Sequence, residues 1–237
     1  MPAAPLLVDR PLDGVVRLRL HCPERANALD AALVETLHDA FSGLDARVVV
    51  LASSAPRMFC AGADLGLADE ERMHLSYRLY ALYERMLTAP MPLVAAIDGP
   101  AVGGGAQLAV ACDVRVAGPE ARLRFVGPGH GLAVGAWALP SLVGRGRAME
   151  LCLSMRWVDA KEALAIGLVD RRADDPEAEA LALAGQIADL DAAAVGRVKQ
   201  VVGTAAGRAA ALAQEADGNR GAWSGSMNVP VPDAVGR

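Results

Sequence analysis

Gly103, Gly104 and Gly105 form an uninterrupted glycine run between a short apolar segment, residues 93–97 (LVAAI), and an all-apolar stretch, residues 106–111. At a strand-to-helix corner glycine lets backbone come close to a bound group. The first peptide N–H groups of the helix lack intrahelical acceptors, so they can face an anion. A second corner lies upstream, where residues 47–51 (RVVVL) run into residues 53–64 (SSAPRMFCAGAD), a loop of small residues that also exposes backbone amides. Taken alone, such corners more often mark tight turns or close packing. Among side chains, His130 in residues 127–131 (GPGHG) has the ordinary pKa best suited to proton transfer near neutrality, although a loop histidine in solvent is the plainer reading. Asp64 reads as a cap for the segment after it, Glu120 as an exposed turn residue, and Asp98 and Asp113 as structural polar groups.

The elements that position these corners follow from periodicity. Val16, Leu18 and Leu20 alternate with Arg17 and Arg19, which predicts a strand with one solvent face. Asp30 is placed to cap a helix whose apolar residues Leu33, Leu37 and Phe41 recur every fourth position. Residues 47–51 and 93–97 read as buried strands, the second followed by a loop over residues 98–103. Residues 70–88 read as a helix with Met73, Tyr77, Tyr80, Tyr83 and Leu87 as packing positions. The second half turns helical, over residues 148–153, 160–166 (Asp159 as cap, Gly167 as stop), 176–190, 192–206 and 208–220. Pro230 and Pro232 exclude a regular helix at the C-terminus.

Four blocks carry a resemblance: residues 23–30 (PERANALD), 59–65 (FCAGADL), 95–113 (AAIDGPAVGGGAQLAVACD) and 142–151 (LVGRGRAMEL). In this order and spacing the chain resembles the crotonase (enoyl-CoA hydratase/isomerase) superfamily over about residues 5–220. The resemblance implies an α/β fold, a spiral of repeated ββα units over about residues 1–190, with C-terminal trimerising helices over about 191–225 and a short irregular tail at 226–237, all in one domain. It implies coenzyme A thioesters as ligands and a homotrimer or a dimer of trimers. It also implies an oxyanion hole from the backbone N–H groups of Ala63 and Gly104, and coenzyme contacts at Arg25, Ala26, Ala28, Cys60 and Ala61. Arg25 is as readily a solvated loop residue.

The departures concern the acids. The family's two catalytic glutamates fall on Gln107 and Gly127, and neither residue titrates. Hydration of an enoyl thioester needs a general acid/base pair, each group contributing roughly 10²- to 10⁴-fold. Ordinary hydratase activity is therefore expected to be weak or absent, and the family includes members lacking both glutamates. Two functions of different class follow: an acyl-CoA-binding protein of fatty acid metabolism, or an active lyase, hydrolase or decarboxylase using another proton-transfer group, with His130 the candidate. Residues 131–144 are shorter than the family pattern, which makes Leu132, Val134, Trp137 and Leu139 the expected apolar wall of the acyl pocket.

Composition fits this reading. With 237 residues and 53% hydrophobic content the chain can bury a sizeable core in one α/β domain. A net charge of −5 argues against nucleic acid. Cys22, Cys60, Cys112 and Cys152 lack short paired spacing, so reduced thiols and no metal site are expected. No run approaches a membrane span, and the N-terminus has no secretory pattern, which makes the cytoplasm the expected compartment.

Overall fold

The computed structural model describes residues 4–64, 66–220 and 222. In chain order its elements are β1 (Leu6–Leu12), β2 (Val15–Leu20), α1 (Ala31–Ser42), β3 (Val48–Ser53), α2 (Asp69–Thr88), β4 (Leu93–Ile97), β5 (Pro100–Val102), α3 (Gly104–Ala111), β6 (Val114–Ala117) and β7 (Arg122–Arg124). After these come α4 (Leu139–Val143), α5 (Arg145–Ser154), β8 (Val158–Asp159), α6 (Ala160–Ile166), β9 (Arg171–Arg172), α7 (Pro176–Ala188), α8 (Ala192–Ala205) and α9 (Arg208–Arg220).

One sheet has the order β1-β2-β3-β4-β6-β9, with β1 antiparallel to β2 and the remaining neighbours parallel. Its central strands are apolar throughout because both faces are covered. On one face Val15, Val48, Val50, Val94 and Val116 pack against Ala180, Ala184 and Ala188 of α7. On the other, Val16, Leu18, Leu51 and Ile97 join a core shared with α1, α2 and α3. The solvent face expected for Arg17 and Arg19 is corrected accordingly. Both arginines are half-buried and reach Glu177 at the start of α7, at 2.6 and 3.1 Å. Alternation showed that the face was polar, but the helix covering it begins about 160 residues later.

The loop expected over residues 98–103 is also corrected, since it contains β5. That strand is too short to carry a periodicity of its own and pairs in a second sheet, β5-β7-β8. Aspartates cap four helices: Asp30 and Asp159, as expected, and also Asp175 and Asp191 each accept a hydrogen bond from the third helical N–H. Gly167 ends α6 at φ 81° as expected. The tail expected over 226–237, Pro230 and Pro232 included, lies outside the described residues.

Candidate active site

The two corners meet. Leu29 pairs with Ala63 in a short parallel bridge, its N–H donating to Gly62 O and its C=O accepting from Asp64 N, so the N–H of Ala63 points away from Leu29. Gly104 is the first residue of α3, where no intrahelical acceptor exists for its N–H. The corners are in close contact: a methyl group on Gly62 (φ +95°) would stand 2.6 Å from Val102 O and 3.4 Å from Gly104 N, and one on Gly104 would stand 3.5 Å from Ala63 N. Glycine is required at 62 by both conformation and space. Tyr83 locks the corner from behind, its hydroxyl donating to Gly104 O at 3.0 Å.

Ala63 and Gly104 open onto a cavity of about 270 Å³. Its walls bring together Ala61, Gln107, Gly127, His130, Leu132 and Val134 of the expected site, and add Arg72, Ser76, Leu79 and Tyr80 from one face of α2, Val126, Arg124, and Asn219 from α9. His130 stands in a single 3-10 turn, and burial together with the Arg72 charge lowers its pKa, so the ring is neutral at pH 7. Trp137 and Leu139 are corrected. Both are core residues rather than cavity wall: Leu139 is fully buried, and Trp137 stacks on Tyr83 and under the Arg208 guanidinium.

The expected coenzyme contacts divide. Ala61 lines the cavity, but its N–H donates to Ala26 O, and the N–H groups of Ala26 and Ala28 are bonded to Pro23 O and Arg25 O. Cys60 is corrected, because its N–H and C=O are both engaged with β5 and its buried thiol donates to Asn27 O. Burial pushes that thiol up to about 12, which makes it a packing group. Arg25 is held by Asp30 at 2.5 Å and faces Asp64 at 3.7 Å, so it is a loop brace rather than a free surface residue. Asp64 accepts from Gly66 N in a local turn and does not cap α2, whose N-cap is Ala68.

The two positions without acids are built differently. Gln107 is 4% exposed, and its Oε1 accepts from Trp137 Nε1 at 2.8 Å and Gly135 N at 3.2 Å. That oxygen is turned into the core and engaged there. At Gly127 a Cβ would lie 2.6 Å from both Leu132 O and Val134 N. The segment after Gly127 folds back over the space that a side chain would occupy. His130 N and Leu132 N both bond to Gly127 O and hold the segment there.

A carboxylate that the sequence did not single out lies directly behind this wall. Glu215, 6% exposed, accepts from Tyr80 Oη at 2.7 Å, Gly135 N at 3.2 Å and Trp137 N at 2.9 Å. Burial raises its pKa, opposed by these donors. Asn219, one helical turn on, grips Ala133 through both N–H and C=O and donates to Tyr80 Oη. The available signal was polar residues in the buried register of α9, where Leu212, Glu215 and Asn219 share one face.

The model for enoyl-CoA hydratase/isomerase matches residues 11–223. The chain belongs to the enoyl-CoA hydratase/isomerase family. Relatives include a probable enoyl-CoA hydratase of Mycobacterium tuberculosis, 40% identical over 196 residues that cover 80% of this chain and 79% of the relative. A putative enoyl-CoA hydratase of Thermus thermophilus is 42% identical over 184 residues, covering 71% and 72%. The crystal structure of an enoyl-CoA hydratase from Bacillus anthracis superposes with a TM-score of 0.79 at 32% identity, covering 90% of each chain. The mixed α/β architecture is thus the crotonase fold, as expected from the four blocks. Coenzyme A thioesters are the substrates that membership in this family implies.

Proposed function

We propose that this enoyl-CoA hydratase/isomerase family member binds acyl-CoA and does not hydrate it. In this reading the thioester oxygen sits against the N–H groups of Ala63 and Gly104, and the acyl group enters the cavity between α2 and residues 126–134. The observation that carries the reading is Gly127. Backbone occupies the space of the second glutamate, so the acid is not merely replaced but has no room. Gln107 adds to it, since an amide whose oxygen is held by Trp137 and Gly135 neither titrates nor presents that oxygen to water.

An unfunctionalised acyl chain fits best, because most of the polar wall is satisfied within the protein. Tyr80 and Asn219 bond to one another and to their neighbours, and Arg124 donates to Met155 O at 2.5 Å and stacks on Trp157. The exposed valines Val198, Val201 and Val202 on α8 support the homotrimer that the family resemblance implies, or a pair of trimers. A cytoplasmic role in fatty acid metabolism accords with this ligand.

One observation favours a second reading. His130 lines the cavity as a neutral imidazole, the form that accepts a proton, so a lyase, hydrolase or decarboxylase with His130 as base is the competing function. Calorimetric titration with short, medium and long acyl-CoA esters, followed by mass spectrometry of the recovered ligand, tests both. Binding with intact ligand is expected. A mass change abolished by His130→Ala would establish the enzyme instead, and no binding to any ester would overturn both.

A further inference from the structure

The carboxylate of Glu215 and the amide of Gln107 share one donor, Gly135 N–H, at 3.2 Å each. Donors converge on both oxygens of Glu215, among them Tyr80 Oη and Gly135 N at Oε1 and Trp137 N at Oε2. A neutral amide at this position would turn an NH₂ toward one of those donors, so the cluster is matched to a carboxylate. The backbone that Glu215 holds, residues 135–137, continues from Val134, and both Leu132 and Val134 line the cavity. Asn219 fixes the other end of the segment through Ala133 and itself lines the cavity. Gly135 is forced at φ 83°, where a Cβ would meet the Phe125 ring at 2.4 Å, so the segment turns in one way only. The wall is therefore fastened to the C-terminal helix through two buried side chains four residues apart.

We propose that Glu215 is a positioning residue of the acyl cavity: it fixes residues 135–137, and with them Gln107, so that filling the cavity and seating α9 are one linked event. The inference rests on the reading that this cavity takes the acyl group of acyl-CoA. A ligand that requires the seated wall stabilises that wall by mass action, roughly 100-fold at a concentration 100 times its Kd. Glu215 touches no ligand in this scheme and acts through the backbone of Gly135 and Trp137.

Hydrogen exchange and calorimetry on the full chain test it, with decanoyl-CoA and free coenzyme A as probes. In the wild type, decanoyl-CoA is expected to slow exchange across residues 208–220 by up to about 100-fold at saturation. Glu215→Gln is expected to bind decanoyl-CoA about tenfold more weakly and free coenzyme A equally well, because a charged hydrogen-bond cluster behind the acyl wall is lost. A general loss of stability would weaken both ligands together. Wild type that binds decanoyl-CoA without change at 208–220, or Glu215→Gln that binds it as wild type does, overturns the proposal. Should Glu215→Gln fail to fold, Tyr80→Phe removes one donor to Glu215 and the Oη that accepts from Asn219; it is expected to bind decanoyl-CoA about threefold more weakly, and no loss there overturns the proposal. If the wild type binds no acyl-CoA, the functional reading falls on its own, and the ligand-free proteins decide the positioning role. Faster exchange at the Gly135 and Trp137 amides in the variants, with β3 and β4 unchanged, supports it; unchanged exchange overturns it.

Discussion

Placing carboxylates at positions 107 and 127 meets a different obstacle at each. Gln107→Glu is nearly isosteric, keeps an acceptor for Trp137 Nε1 and Gly135 N–H, and is expected to fold. Gly127→Glu drives side-chain atoms into the backbone of Leu132 and Val134 and is expected to cost about 3 kcal/mol or more, lowering the urea midpoint. Crotonyl-CoA hydration by Gln107→Glu is expected to stay at background, since a lone acid lacks its partner; measurable turnover would show that a partner exists elsewhere. At Asp30, burial works to raise the pKa, but the Leu33 N–H and the Arg25 charge outweigh it and hold the carboxyl below its ordinary value. The stabilisation is therefore complete above the unfolded pKa and is lost as pH falls through the lower folded one. Asp30→Ala is expected to destabilise by about 1 kcal/mol at neutral pH, with the gap from wild type closing toward acid in paired denaturation curves.

Helix α8 is anchored by a lysine whose side chain is almost wholly covered. Among its described residues none of the apolar side chains is buried, yet Lys199, only 8% exposed, pairs with Asp113 at 2.9 Å and donates to Met86 O and Met91 O. Asp113 in turn accepts from Leu93 N and so fixes the start of β4. Lys199→Ala leaves Asp113 and two carbonyls without their cation and is expected to cost about 2–3 kcal/mol, read as a shift in midpoint with an unchanged denaturant slope. The same helix presents Val198, Val201 and Val202 outward at i, i+3 and i+4, between 63 and 67% exposed. Packing along the element was readable where apolar period and burial coincide, as in α1. It was not readable in α8 and α9, where the residues that matter are polar and their partners lie about 80 to 140 residues away.

For the whole molecule, the exposed valine face bears on assembly. Light scattering on the wild type is expected to give the mass of a trimer or a pair of trimers, and Val201→Glu to give a smaller particle with unchanged far-UV circular dichroism. A wild-type monomer would remove the trimer from the proposed function. Described helices include none long and apolar enough to cross a membrane, and the apolar central strands of the main sheet are covered on both faces by helices of the same chain.

The sequence by itself determined the family, the two amide-bearing corners, the capped helices and the absence of acids at 107 and 127, because each is a local property: a glycine run, an aspartate before an apolar period, a residue type at a motif position. Leu132 and Val134 line a cavity, as expected of them, and Ala61, Gln107 and His130 line it too, although a solvent-exposed loop was the plainer expectation for His130. Tertiary structure alone decided the rest. Position 127 has no room because residues 132–134 fold back over it, Trp137 leaves the cavity because Gln107 and Arg208 hold it in the core, and a carboxylate from α9 stands behind the wall. These are contacts between segments far apart in the chain. Their outcome depends on close packing and on where buried donors find acceptors, which no local pattern encodes.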